Sequence, residues 1–141
     1  MADVISFRDD VASQEPAVSV DCFAGQNNAT AVRIEPGEDA RLLLPDLDRL
    51  SLVEVNFPAF GDGRGYSSAA ILREAGYTGE LRAVGDVIAD HIPAMRRCGF
   101  DTFAPRAPVD PAVLERTLSR YPEVYQKVGL GEVPVWKLRH G

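Results

Sequence analysis

An α/β fold built on a small, mostly parallel sheet of about four strands is what the sequence predicts. Two observations predict it. Short β-prone runs centred near Val32, Val53, Ala83 and Phe103 alternate with stretches whose apolar residues recur at helical spacing. Glycine, proline and aspartate gather at the joints between them, where strands meet helices. Eight strands are not available, so the expectation is a section of a β/α barrel or an open sheet rather than a closed barrel. At 141 residues the chain is expected to form a single domain, 1–141, able to bury about two-thirds of the surface its unfolded form exposes.

The elements follow in order. The first 30 residues alternate only weakly, with β-prone pieces at 18–23 and 31–35 flanking the polar Gln26, Asn27 and Asn28. Residues 35–39, EPGED, carry turn chemistry. Leu43, Leu47 and Leu50 make an i, i+4, i+7 stripe interrupted by Pro45, which predicts a short helix from about Pro45. Residues 51–57, SLVEVNF, read as a largely buried strand stopped by Pro58. A glycine-rich loop at 59–65 then opens a helix with Ser68, Ile71, Leu72 and Ala75 on its packing side and Tyr66 and Arg73 on the other.

Gly76 stops that helix, and residues 81–86, LRAVGD, form the next strand, apolar enough to sit centrally. In the following helix Ile88, Ile92, Met95 and Cys98 are compatible in spacing. Asp90 is expected as its N-cap, placing Pro93 in the first turn, with a kink near Asp90 as the alternative. Gly99 ends it, residues 100–104 give the fourth strand, and Asp110-Pro111 signals a helix bearing Leu114, Leu118 and Tyr121 and bent or ended at Pro122. The tail 129–141 contains Pro134, which limits it to an edge strand or a docking arm.

A parallel sheet gathers its ligand-binding loops at the C-terminal ends of its strands. The candidates there are Asp62, Arg64 and Tyr66 from one loop, Asp86 and Asp90 from the next, and Arg106. Anion capture is the favoured chemistry for Gly61, Gly63, Arg64, Gly65 and Tyr66. The amides of a helix start point outward, arginine adds a fork of donors matched to sulfate or phosphate oxygens, and glycines permit close approach. The alternative is a tight turn without a ligand. Asp86 and Asp90 are candidates for proton transfer, with helix capping as the simpler account. His91 reads as a surface histidine, and Arg96 and Arg97 as cations suited to the last turn of a helix.

Composition narrows the function classes. A net charge of -6 argues against a broad basic surface for nucleic acid. No apolar run approaches the ~20 residues of a membrane span, and the N-terminus lacks the pattern of a secretory signal, so a cytoplasmic protein is expected. The two cysteines, Cys22 and Cys98, are expected to be reduced and structural, Cys98 as a buried thiol on a helix stripe. Residues 61–65, GDGRG, follow a strand and precede Asp86 by about 20 residues, yet the third glycine of a dinucleotide fingerprint falls at Tyr66, which makes NAD(P) an unfavoured cofactor.

Three separated motifs, FPAFGDGRGYS, GELRAVGDV and MRRCGFD, resemble those of an uncharacterised bacterial family described as a probable oxidoreductase involved in sulfite reduction. The resemblance covers about residues 31–104 and leaves an N-terminal arm and a C-terminal tail outside. It implies a gene encoded beside those of sulfite reductase and other sulfate-assimilation proteins, with such a protein as an expected partner, and establishes no reaction. Asp62, Arg64, Tyr66, Arg82, Asp86, Arg96, Arg97 and Asp101 carry over as motif positions alone. Two cysteines cannot ligate an iron-sulfur cluster by themselves, so a sirohaem-containing catalytic subunit is not expected. The expected function is an accessory protein that binds an oxyanion or a partner's acidic group. The alternative is a small enzyme acting on a sulfur- or phosphate-containing metabolite, an oxidoreductase with a nucleotide cofactor being one form of it. Pairing of an uncovered sheet edge with a second copy is a further expectation.

Overall fold

The computed structural model describes residues 3–8, 13, 15–25, 28–58, 64–120 and 137–140, with the backbone alone at 3, 64 and 137–140. The fold is α/β, and its sheet is mixed and mostly parallel. In chain order the elements are β1 (Asp3–Ser6), β2 (Val18–Ser19), α1 (Val20–Ala24), β3 (Ala31–Ile34), a 3-10 helix (Ala40–Arg49), β4 (Leu52–Phe57) and α2 (Arg64–Glu74). They continue with β5 (Glu80–Gly85), a 3-10 turn (Ala89–His91), α3 (Ile92–Cys98), β6 (Thr102–Pro105), α4 (Pro111–Ser119) and β7 (Lys137–His140). The strand order is β2-β3-β4-β5-β6-β1-β7, seven strands among the described residues where about four were expected. The four expected strands are β3 to β6, all parallel. The additional three come from the two ends of the chain and from the short β2, where the alternation is weakest.

Consecutive parallel strands joined by right-handed crossovers put every crossover on one face of the sheet. The core accordingly lies on that face. Val32, Val53, Val55, Phe57, Leu81, Ala83 and Phe103 are buried there with Ala69 and Leu72 of α2, Ile92 and Met95 of α3, and Leu114 and Leu118 of α4. Each such large side chain contributes about 1.5–3 kcal/mol on burial. Phe57, Phe100 and Phe103 meet edge to face or tilted, with centroids 5.8 and 6.4 Å apart.

The opposite face is polar. Pairing register sets one row across the sheet, Ser19, Arg33, Glu54, Arg82, Thr102, Ser6. Glu54, Arg82, Thr102 and Ser6 of that row are buried, as is Glu80 in the adjacent row. Buried charge is tolerated only when paired and hydrogen-bonded. Arg33 donates twice to Glu54 Oε1 (3.0 and 2.9 Å), and Arg82 donates to Glu54 Oε2 (3.4 Å) and to Glu80 Oε2 (2.5 and 3.1 Å). Thr102 donates to Glu80 Oε2 at 2.8 Å.

Part of the cover comes from the link between β1 and β2. These strands lie five places apart in the sheet, a span of roughly 24 Å at the usual strand spacing. Ser13, from that link, lies on this polar face. Ser13 amide donates to Glu80 Oε1 (2.8 Å), Arg82 Nη2 donates to Ser13 carbonyl (2.7 Å), and Glu15 accepts from the Thr30 hydroxyl.

Local departures from the expected elements have physical reasons. Residues 18–23 do not stay extended, because Ser19 accepts a bond from the Cys22 amide and caps α1. The 3-10 helix starts at Ala40, not Pro45, because Asp39 accepts from the Arg41 amide. Tighter i→i+3 winding accommodates Pro45 inside it. Asp90 is not an N-cap: it sits in the 3-10 turn, α3 begins at Ile92 without a side-chain cap, and Pro93 still lies in its first turn. Asp110 does cap α4, accepting from the Ala112 amide. Tyr121 and Pro122 lie outside the described residues, and of the tail 137–140 is an edge strand. Cys22 is exposed on α1, and Cys98, expected as a buried thiol, is partly buried on α3 and packs against the core.

Gly85 ends β5 with φ +99°, and a Cβ there would lie 2.4 Å from the Phe57 carbonyl oxygen and 2.8 Å from Asn56 Oδ1. Gly85→Ala therefore combines left-handed strain, about 1–2 kcal/mol, with a backbone clash. Urea unfolding of this variant is expected to show a loss at or above that figure with an unchanged m-value.

Candidate functional site

The C-terminal edge of the sheet is held together by its own backbone. Asp86 amide donates to Phe57 carbonyl (2.7 Å), and Arg106 amide donates to Gly85 carbonyl (2.8 Å). Arg106 Nη2 reaches the Pro58 carbonyl at 3.4 Å. These bonds bring the ends of β4, β5 and β6 into one rim, with Asp86 and Arg106 on it.

α2 is lowered onto this rim by Gly65. A Cβ at Gly65 would lie 2.4 Å from Phe57 Cζ and 3.1 Å from Val55 Cγ1, so the first turn of the helix contacts β4 as only a glycine allows. Close helix-to-strand packing is the service of the third glycine in dinucleotide loops, and here it falls one residue earlier than that fingerprint requires. Gly65 and Ser68 of α2, Val55 and Asn56 of β4, and residues 34–37 line a crevice of about 10 Å³, room for about one water. Asn56 Nδ2 donates to Glu35 Oε1 across it at 2.7 Å.

Gly61, Asp62 and Gly63 lie outside the described residues, as does the side chain of Arg64, whose backbone opens α2. Tyr66 is half-buried and packs edge to face on Phe57, centroids 5.7 Å apart. Burial, and next the nearby Cys98, push its hydroxyl pKa up. Asp86 is partly exposed on the rim, whereas Asp90 is exposed in the 3-10 turn before α3. Among the described residues, no group of three or more His, Cys, Asp or Glu could hold a metal ion.

The remaining motif residues stand elsewhere. Arg82 belongs to the polar face. Asp101, just before β6, lies at the N-terminal edge, where Oδ1 accepts from the Leu81 amide (2.9 Å) and Oδ2 from Arg8 (2.6 Å) and Arg73 (3.1 Å). Burial raises the Asp101 pKa, while the Leu81 amide, Arg73 and Arg8 pull it back down. Arg96 donates to the Phe100 carbonyl (3.0 Å) and lies over the Phe7 ring, and Arg97 is exposed. Burial raises the Cys98 pKa, partly offset by Arg97, which disfavours a thiolate nucleophile.

Arg73, Arg8, Glu54 and Glu80 are the residues sequence reasoning missed. Arg73 works as a clamp, donating to Gly99, Tyr77 and Gly79 carbonyls at 2.9, 2.8 and 2.9 Å besides Asp101. The signal for Glu54 and Glu80 was a charge at the middle or start of an otherwise apolar strand: LVEVNF, ELRAVG.

A family model described as "Bacterial protein of unknown function (DUF934)" matches residues 31–136. The chain belongs to that family. The DUF934 match extends beyond residue 104, where the motif resemblance ended, and so adds α4 and the stretch after it. No curated protein and no solved structure matches this DUF934 chain. No helix among its described residues is long and apolar enough to cross a membrane.

Two outcomes follow from this geometry. Arg82→Leu leaves Glu54 and Glu80 buried beside too little positive charge, and chemical denaturation is expected to show a loss of about 3–5 kcal/mol. Tyr77, buried and donating to the Glu80 carbonyl (2.9 Å), has its pKa raised chiefly by burial, as has Tyr66. Raised folded-state values mean that this contribution to stability is present below pH ~10 and is lost as pH rises through the folded pKa. Absorbance titration of tyrosinate is expected to leave Tyr66 and Tyr77 largely un-ionised at the ordinary tyrosine midpoint.

Proposed function

We propose that the protein is an accessory component of sulfite reduction or sulfate assimilation. In this reading it binds an oxyanion, or an acidic group of a partner such as sulfite reductase, through Gly61, Gly63, Arg64, Gly65 and Tyr66. The observation that carries the reading is the seat of α2: Gly65 lets the first turn of the helix rest on the end of β4, so that the helix start belongs to the C-terminal rim. Amides at a helix start favour an anion, and an arginine there supplies charged donors. The pathway rests on the motif resemblance of FPAFGDGRGYS, GELRAVGDV and MRRCGFD.

A second reading is a small enzyme acting on a sulfur- or phosphate-containing metabolite, with Asp86 moving a proton. It is favoured by the place of Asp86 on the rim, its amide bonded to the end of β4, the strand that precedes the loop.

Arg64→Ala is expected to weaken oxyanion binding by about 1.5–3 kcal/mol, the worth of a charged hydrogen bond, read as a reduced thermal shift with sulfite, sulfate or adenylyl sulfates. A strain lacking the gene should grow poorly on sulfate or sulfite and normally on cysteine, and Arg64→Ala should restore it less well than a folded Cys22→Ala/Cys98→Ala chain. Normal growth of the deletion strain on sulfite would remove the pathway assignment. Turnover of one of the test anions would favour the enzyme.

A further inference from the structure

The connection from β6 into α4 is apolar where an exposed loop is ordinarily polar. Residues 106–113, RAPVDPAV, contain no glycine, serine or asparagine, the usual residues of such a connection. All of them except Val109 are exposed. Val113 keeps 36% of its surface accessible, and Ile88, just before the 3-10 turn against which α4 packs, keeps 40%. Three large hydrophobic side chains are exposed among the described residues, and these are two of them. Apolar surface gathered in one place beside charged groups marks a contact surface.

The loop is held in place from within the chain. Arg106 amide donates to Gly85 carbonyl (2.8 Å), Val109 packs against the core, and Asp110 Oδ1 accepts from the Ala112 amide (2.9 Å). Pro108 and Pro111 fix φ at two further places. A loop ordered beforehand loses little freedom on association. Its two charges, by contrast, are unmatched. The Arg106 guanidinium makes a single bond, from Nη2 to the Pro58 carbonyl at 3.4 Å, and no ion pair among the described residues. Asp110 makes no ion pair among them either, and its one side-chain bond uses Oδ1 alone.

We propose that this loop, with Ile88 beside it, is the contact between two copies of the chain related by a two-fold axis at Pro108, Arg106 of each copy pairing with Asp110 of the other. A two-fold contact needs a surface that complements itself. The charges supply that property: Arg106 and Asp110 stand two residues before and two after Pro108. Laying one loop in reverse against another therefore sets cation opposite anion twice, with the apolar residues between and beside them covered. Any other partner would have to offer an anion and a cation in this order, which a second copy does by construction. The contact is distinct from pairing at a sheet edge. It stands independently of the proposed function, since it uses none of residues 61–66.

Self-association of the whole chain, measured by sedimentation equilibrium between about 10 μM and about 1 mM, covers the range suited to a small interface. Expected is a monomer–dimer equilibrium without larger species. Arg106→Glu and Asp110→Lys, each alone, put like charges opposite each other twice and should weaken the dimer by more than about tenfold. An equimolar mixture of the two should restore it, because the altered side chains then oppose each other and the retained Arg106 and Asp110 do so as well. Asp110 also caps α4, so Asp110→Asn is the companion variant: it keeps the capping acceptor, and the dimer should weaken with the fold intact. Should Asp110→Lys fail to fold, Arg106→Glu and Asp110→Asn decide. Arg64→Ala should associate as the parent does, which separates this contact from the oxyanion reading. A chain that stays monomeric throughout would leave the loop to a different protein and overturn the proposal. A dimer that Arg106→Glu leaves intact, or a mixture of folded variants that remains monomeric, would overturn it too.

Discussion

One placement constrains much of the rest: β1 pairs with β6, while β2, the next strand in the chain, pairs with β3 at the other side of the sheet. Ser13, between them in sequence, lies against the polar face, and its backbone donor and acceptor need partners there. A wholly apolar face would strand them. Arg82 and Glu80 meet the chain at Ser13, on its carbonyl and its amide respectively. The same two side chains then need Glu54, Arg33 and Thr102 to complete their own bonding. The charged row is thus the price of the strand order, and it divides the sheet into one oily face and one ionic face.

The two ends of the strands divide labour along the other axis. At the N-terminal edge Arg73 and Asp101 tie helix, turns and strand starts together, so part of the motif pattern is accounted for by architecture. At the C-terminal edge the bonds among residues 57, 85, 86 and 106 fix a rim but leave side chains such as Asp86 partly exposed. Motif residues thus fall into two populations, and Arg82 and Asp86, four positions apart in sequence, belong to different ones.

The parallel centre of the fold was legible because β3 to β6 are apolar, short and separated by capped or glycine-ended helices; Asp110 and Gly99 act as their residue types suggest. Strand β1 was not legible, since DVIS is too short to show a period and is fixed by partners distant in sequence, Phe103 and Leu138 among them. Local competition explains other misses: Ser19 turns a β-prone run into α1, and Asp39 starts a 3-10 helix five residues before Pro45. At the candidate site, the loop-to-helix joint was readable from its glycines. Tyr66 facing Phe57 was not, because helical spacing shows which side a residue occupies and not how far the sheet extends beneath it.

Strand β1 also sets an order of events. Ile5 can find Phe103 only after most of the chain has emerged and β6 exists, and contacts so distant in sequence form slowly because the loop they close is long. Until then the ionic face, with Glu80 and Arg82, lacks Ser13 and stands in water. During synthesis the nascent sheet would therefore present its charged side outward and its oily side already covered by the helices made alongside it. Residues 5 and 6 are thus placed only after β6 exists, and the face beside them is the one that tolerates waiting.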